Sequence, residues 1–69
     1  MKKYYLNLVE QSNGDYEVHA EACYFQPKKE FEYLGWFFSC EAAVITAKAR
    51  HPRKKINGCK TCSNDCHTS

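Results

Sequence analysis

Residues 4–23 read YYLNLVEQSNGDYEVHAEAC and have the pattern of a β-hairpin. Aromatic and branched residues fill Tyr4 to Gln11, and apolar and polar residues alternate from Asp15 to Cys23. Between these segments lies Asn13-Gly14, the strongest short hairpin signal, because both residues tolerate the positive φ of a type I′ turn. We therefore predict two antiparallel strands joined at this turn.

Two further elements are predicted after a polar break at residues 26–30. Phe31 to Phe38 predicts a third strand, in which Gly35 allows a bulge or a close approach of backbone. Ser39 is suited to cap a helix over Cys40 to Arg50, because its hydroxyl can accept an orphan backbone N–H. An apolar stripe with helical spacing supports the helix and consists of Cys40, Ala43, Val44 and Ala47.

The predicted fold class is α+β. It is a small antiparallel sheet of about three strands with one helix packed on it, followed by a C-terminal segment like a zinc knuckle. Residues 1–69 form a single small domain, and residues 56–69 are its Cys/His-rich C-terminal segment. Pro52 ends the helix. Beyond it, Ile56 is the one large apolar residue, so this segment cannot form a core of its own.

The length of the chain makes a covalent or metal crosslink expected. A domain of 69 residues buries only about 60% of its unfolded surface, and such domains often need a disulfide, a metal or a partner. The N-terminus lacks the apolar region of a signal peptide, and no apolar run approaches the roughly 20 residues that span a bilayer. We therefore expect a cytoplasmic protein, away from membranes, whose five cysteines stay reduced. Metal is the predicted crosslink.

Four potential metal ligands form two close pairs, His19-x-x-x-Cys23 and Cys59-x-x-Cys62. Two short pairs separated by tens of residues are typical of a single zinc site, because each pair closes a small chelate loop. The predicted cofactor is zinc, held by His19, Cys23, Cys59 and Cys62. Protein side chains would fill all four positions, which is typical of a structural site rather than a catalytic one.

The C-terminal segment offers more ligands than one tetrahedral ion needs. Cys66 could replace His19, or His67 could serve as the fourth ligand, and both alternatives stay open. Cys40 is predicted to be a small buried apolar residue packed on the sheet. A second function is a thiol-based redox or metal-responsive protein, in which Cys59, Cys62 and Cys66 exchange between thiolate, zinc-bound and disulfide forms.

Basic residues are concentrated in the last third of the chain. Residues 46–69 carry six Lys or Arg against one acidic residue, whereas residues 1–45 carry four against seven. This asymmetry favours an anionic partner, either nucleic acid or a protein, bound by Lys48, Arg50, Arg53, Lys54 and Lys55. Trp36 or Tyr24 could stack on bases if exposed, although we expect most aromatic side chains in the core. We expect a monomer.

The order of these motifs resembles the zinc-binding domain of Ada-type DNA repair proteins. It is more similar to the short His-x-x-x-Cys versions of that domain appended to bacterial nucleases and other proteins. The resemblance covers about residues 16–62 and rests on Glu17-Val18-His19, Cys23, Pro27, Leu34 to Ser39, Glu41-Ala42 and Gly58 to Cys62. The chain also resembles small stand-alone bacterial proteins of unknown function that share residues 13–19 and 66–69.

The resemblance implies zinc binding but no alkyl transfer. In the family, the cysteine that accepts a methyl group is the first of four ligands, and that position here is His19. A metal-bound imidazole has no lone pair left to attack, whereas a zinc-bound thiolate has. The span from Cys23 to Cys59 is also longer than in the family, owing to the insertion of residues 51–56.

No hydrolase motif accompanies the ligand pairs. The sequence contains no His-Glu-x-x-His motif, no glycine-rich phosphate loop and no Ser-His-Asp order. A closed zinc site also lacks the open position that a catalytic metal needs. We therefore expect a small zinc-stabilised binding module and not an enzyme.

Overall fold

The computed structural model describes residues 1–23 and 30–67 of the chain. Within these ranges the elements are β1 (Lys2–Asn7), β2 (Asp15–Ala20), β3 (Phe31–Phe37), α1 (Cys40–Arg50), β4 (Lys55–Gly58) and a short 3-10 helix (Asn64–Cys66). Most of the predicted polar break, together with Tyr24, lies outside the described residues. The described helices are too short and too polar to cross a membrane.

The sheet has four strands in the order β3-β1-β2-β4 and is mixed. β1 pairs antiparallel with both β2 and β3, whereas β4 pairs parallel with β2. The predicted α+β class, with one helix on a small sheet, is confirmed. The prediction of about three antiparallel strands misses β4, because its four residues offer one large apolar side chain and no alternating pattern.

The core lies between α1 and one face of the sheet. The helix occupies the predicted residues, and its buried side chains are Ala43 and Ala47, whose small size lets the helix approach the strands closely. The strands contribute Tyr4, Leu6, Val18, Ala20 and Leu34. Ser39 occupies the N-cap position, but its side chain makes no capping hydrogen bond, contrary to its predicted role.

A β-bulge in β3 divides its side chains between the two faces of the sheet. Tyr4 pairs with Gly35 and Tyr5 pairs with Tyr33, so Leu34 is the extra residue. Gly35 has a φ of +122°, a conformation that L side chains rarely adopt, and this confirms the predicted bulge. The bulge turns Leu34 into the core.

The turn between β1 and β2 is displaced by one residue from the predicted position. Gly14 N–H donates to the Gln11 carbonyl at 2.9 Å, and Gln11 N–H donates to the Asp15 carbonyl at 2.8 Å. The central residues are therefore Ser12 and Asn13, neither of which has positive φ, and Gly14 follows them at φ +91°. This is a type I turn with a glycine bulge, and the predicted type I′ turn is wrong.

We predict that Gly14→Val destabilises the domain by about 1–2 kcal/mol, because a β-branched residue is strained at positive φ. A Cβ at Gly14 would meet nothing within 4 Å, so the loss measures backbone strain alone. Urea unfolding of the variant and the parent, at equal metal loading, gives the difference. Gly14→Asn is the control and should cost less, because Asn tolerates positive φ better. Equal stability of all three proteins would contradict the assignment.

An ion-pair cluster fixes the end of α1 to the edge strand β3. Arg50 Nη1 lies 2.9 Å from Glu32 Oε2, and His51 Nε2 lies 2.8 Å from Glu32 Oε1. Hydrogen bonds from Arg50, and then from His51, hold the pKa of Glu32 below its ordinary value. The cluster therefore stabilises the fold when the carboxylate is ionised.

We predict that Glu32→Gln lowers the free energy of unfolding by less than about 1 kcal/mol at neutral pH, because the pair is partly solvated. The lowered pKa makes this contribution present above the unfolded value, near 4.3, and lost as pH falls through the folded value. The difference between variant and parent should therefore shrink on acidification. Glu30→Gln, an exposed neighbour, is the control, and a difference independent of pH would contradict this account.

Candidate metal centre

The end of β2 supplies the first two potential ligands. His19 is 1% exposed although it lies on the sheet face opposite the core. After Ala20 the chain turns sharply, with Cys23 N–H donating to the Ala20 carbonyl at 3.3 Å and Ala22 at φ +62°. This turn brings the Cys23 thiol back beside the imidazole.

The second pair follows β4 and is placed by the backbone of β2. Cys59 N–H donates to the Val18 carbonyl at 3.0 Å, which continues the β2–β4 ladder by one residue. Ser63 N–H then donates to the Cys59 carbonyl at 2.8 Å and closes a tight loop around Cys62. We call residues 58–67 the knuckle. Ala20 N–H donates to Cys62 Sγ at 3.3 Å, so this thiol also lies against β2.

The four side chains form one compact group. The ligand atoms of His19, Cys23, Cys59 and Cys62 all lie within 4.8 Å of one another. His19 Nδ1 is 3.8 Å from both Cys23 Sγ and Cys62 Sγ, and Cys23 Sγ is 4.0 Å from Cys59 Sγ. Around a tetrahedral zinc ion, bond lengths of about 2.0–2.3 Å place neighbouring ligand atoms roughly 3.5–3.8 Å apart. The group therefore has nearly the dimensions of a four-coordinate metal shell.

The surroundings of the group disfavour charge unless a cation is present. Burial lowers the pKa of His19, which keeps its imidazole neutral, as a metal ligand must be. Burial, with a hydrogen bond to Cys23, raises the pKa of Cys62 to about 12. Three thiols packed in so small a volume would repel one another as thiolates. A divalent ion in their midst removes that repulsion.

The second nitrogen of His19 faces an acidic neighbour. His19 Nε2 is buried without a hydrogen-bond partner among the described residues, and Glu17 Oε1 lies 3.6 Å from it. Burial is the main reason that the pKa of Glu17 lies above its ordinary value. A carboxylate beside the free nitrogen fixes the tautomer of a metal-bound imidazole, which leaves Nδ1 for the ion. In the sequence, the strand alternation that places Glu17 and His19 on the same face of β2 is the signal that could have predicted this role of Glu17.

Cys40 and Cys66 form a disulfide, and this corrects two predictions. Cys40 is half-buried against the core as expected, but its sulfur is bonded rather than free. Cys66 therefore lies outside the ligand group, as does His67, whose Nδ1 is 3.0 Å from the Gly58 carbonyl. The expectation that all five cysteines stay reduced is wrong for this pair. The free thiols are Cys23, Cys59 and Cys62.

The predicted basic residues lie around the C-terminal end of α1 and the start of β4. Arg50 is bound to Glu32, and Lys54 Nζ lies 4.1 Å from the centre of the Tyr16 ring. Lys48, Arg53 and Lys55 are exposed. Two of the five side chains thus already have partners within the chain.

No protein-family model, curated protein or solved structure matches this chain. The resemblance to Ada-type domains stays a prediction. The chemistry of the site is therefore inferred from its own residues.

Gly58 allows the knuckle to fold back on the end of β4. A Cβ at this position would meet the Ser63 carbonyl oxygen at 2.6 Å and Cys66 Cβ at 2.7 Å. Neither atom can move aside readily, because one is backbone and the other is tethered to α1 through the disulfide. A side chain at position 58 would push the loop that carries Cys59 and Cys62 out of place.

We predict that Gly58→Ala destabilises the domain by about 1–3 kcal/mol, the usual cost of overpacking. Amide hydrogen exchange at Ser63 and Cys66 should accelerate, because their N–H groups bond within the displaced loop. Lys60→Ala is the matched control, since Lys60 is an exposed knuckle residue. Slow exchange and parental stability in Gly58→Ala would show that the loop accommodates a methyl group.

Proposed function

We propose that this chain is a small zinc-stabilised binding module. The observation that carries the proposal is the group of three unbonded thiols and one buried imidazole within 4.8 Å. Thiolate and imidazole ligands suit zinc, and hard ions such as magnesium or calcium take oxygen ligands instead. His19 would bind through Nδ1, and Cys23, Cys59 and Cys62 through their sulfur atoms.

The ion would add a further link between two segments that the β2–β4 ladder already brings together. His19 and Cys23 come from the end of β2, and Cys59 and Cys62 come from the knuckle. Cys59 lies 36 residues after Cys23 in the sequence. The knuckle has few apolar side chains with which to hold itself against the sheet. Structural zinc contributes roughly 10 kcal/mol or more of apparent binding free energy, while a core of this size supplies only about 3–5 kcal/mol. Zinc would therefore add to the disulfide in keeping the knuckle ordered.

A thiol redox function has less support. A reactive thiol needs a lowered pKa, so that the thiolate exists near neutral pH. The pKa of Cys62 is instead raised to about 12 by burial. Cys66, the third member of the proposed redox set, is bonded to Cys40. The metal titration below distinguishes the two functions.

We predict that protein with its disulfide intact binds one zinc ion, and that cobalt substitution gives the sulfur-to-metal absorption expected for three thiolates. His19→Ala, Cys23→Ser and Cys62→Ser should each weaken binding by at least tenfold, because each opens a filled shell. Metal content and competition with a chromophoric chelator measure the effect. Chelation of the parent should release the knuckle first, seen as faster amide exchange at Ser63 and Cys66.

The matched controls come from outside the group. His67→Ala should retain zinc, because that imidazole contacts the Gly58 carbonyl and no thiol of the group. The disulfide prevents Cys66 from replacing a lost ligand, so reductants that open it are left out. Protein that contains no metal, gains none on titration and is already ordered through residue 62 would contradict the proposal and favour the redox alternative.

A further inference from the structure

The sheet face opposite α1 carries aromatic side chains. Strand alternation places Lys3, Tyr5 and Asn7 of β1 on this face, because Tyr4 and Leu6 point into the core. Cross-strand pairing places Phe31, Tyr33 and Trp36 of β3 beside them. We call the four rings of Tyr5, Phe31, Tyr33 and Trp36 the aromatic platform. The expectation that most aromatic side chains lie in the core is wrong, since Tyr4 is the one fully buried aromatic residue among those described.

Three rings of the platform, Tyr5, Phe31 and Tyr33, contact one another, and Phe31, Tyr33 and Trp36 are open to solvent. The Tyr5 ring lies 5.4 Å from that of Phe31 and 5.6 Å from that of Tyr33, centre to centre. Phe31 is 41% exposed, Tyr33 47% and Trp36 50%. Adjacent exposed rings on a small soluble domain are typical of a binding surface rather than of random surface composition.

The charge of the two strands that carry the platform favours an anionic partner, although Glu17 lies on the same face of β2 and Glu21 Oε1 accepts from Lys3 N–H at 2.8 Å. Lys3 is the only charged residue among the outward-facing side chains of β1 and β3, both fully described, and its Nζ lies 5.2 Å from the centre of the Trp36 ring. An apolar protein surface laid on the platform would strip water from this ammonium without pairing it. A partner with flat rings and regularly spaced negative charges can stack on the aromatic side chains and pair with Lys3.

A groove on the same sheet face extends from Asn7, the pairing partner of Phe31, to the metal centre. It has a volume of about 440 Å³ and is lined by Asn7, Gln11, Glu17, His19, Cys59, Lys60 and Thr61. Lys60 is exposed and adds a second cation on this side. Glu17, the acidic member, lies beside His19. The groove thus extends the platform with amide groups and a lysine, which suit sugar and phosphate contacts.

We propose that the aromatic platform binds single-stranded nucleic acid, whose bases stack on Tyr33 and Trp36 and whose phosphates contact Lys3 and Lys60. The proposal names the partner of the module proposed above. It differs from the partner surface predicted from sequence, because Lys48, Arg50, Arg53, Lys54 and Lys55 do not belong to the platform. Base stacking is tolerant of sequence, since every base has a flat face, so little sequence preference is expected.

Trp36 is the only tryptophan of the chain, so its fluorescence reports directly on the platform. Zinc-loaded, disulfide-intact protein is titrated at low salt with oligothymidylate and oligouridylate of about 12 nucleotides, within the range of known single-strand sites. We expect quenching of Trp36 by either oligomer and weaker quenching by a DNA duplex. Tyr33→Leu should weaken binding roughly tenfold, because one stacking position is lost. Lys3→Gln should reduce the salt slope by about 0.7, the value for one phosphate contact.

Ile45→Ala and Lys48→Gln are the matched controls, an exposed apolar residue and an exposed cation of α1. Both should bind like the parent. The absence of quenching by both oligomers, or an equal loss in the helix variants, would overturn the proposal. So would a dimer in sedimentation equilibrium that Tyr33→Leu dissociates, because the platform would then belong to a second copy. Zinc is measured on every sample, so that zinc-loaded protein without binding overturns this inference and leaves the metal proposal standing.

Discussion

The parallel pairing of β4 with β2 is the contact on which the rest of the structure depends. Its last hydrogen bond, from Cys59 N–H to the Val18 carbonyl, sets one thiol beside the strand that carries His19. Without this ladder the two ligand pairs, 36 residues apart, would have no common position. The pairing also positions Gly58, the last residue of β4 and the first residue of the knuckle. The placement of the disulfide and of the ligand group therefore depends on a strand of four residues.

The sequence predicts what has a local signal and misses what depends on distant partners. The helix from Cys40 to Arg50 follows from its cap residue, its apolar spacing and its proline stop, and it is found at those residues. The spacing of the two ligand pairs likewise predicts which four side chains come together. β4 has no such pattern, because its pairing comes from the backbone of β2. The Cys40–Cys66 bond depends on how the knuckle folds over α1, which spacing alone does not encode.

The disulfide and the proposed zinc site on the knuckle fit the small size of the core. The disulfide spans 26 residues and constrains the unfolded chain by roughly 3–4 kcal/mol on chain-entropy grounds. It holds the end of the knuckle to the start of α1, whereas a zinc ion bound as proposed would hold the beginning of the knuckle to β2. The knuckle is preceded by one half-buried isoleucine, Ile56, so apolar contacts alone could not order it.

The distribution of aromatic residues shows what the core does not use. The core is built from alanines, a valine, two leucines and one tyrosine, and both buried residues of α1 are alanines. Of the rings of β3, Phe37 packs against the core, whereas Phe31, Tyr33 and Trp36 are exposed, and exposing them costs solubility. Edge strands with exposed apolar residues also invite aggregation, which natural sequences oppose with charge. Charge at this edge comes from Lys3, next to the Trp36 ring, and from Arg50, which donates to the Tyr33 carbonyl. Exposed rings beside Lys3, which packing against the helix does not require, are the observation on which the proposed anionic partner rests.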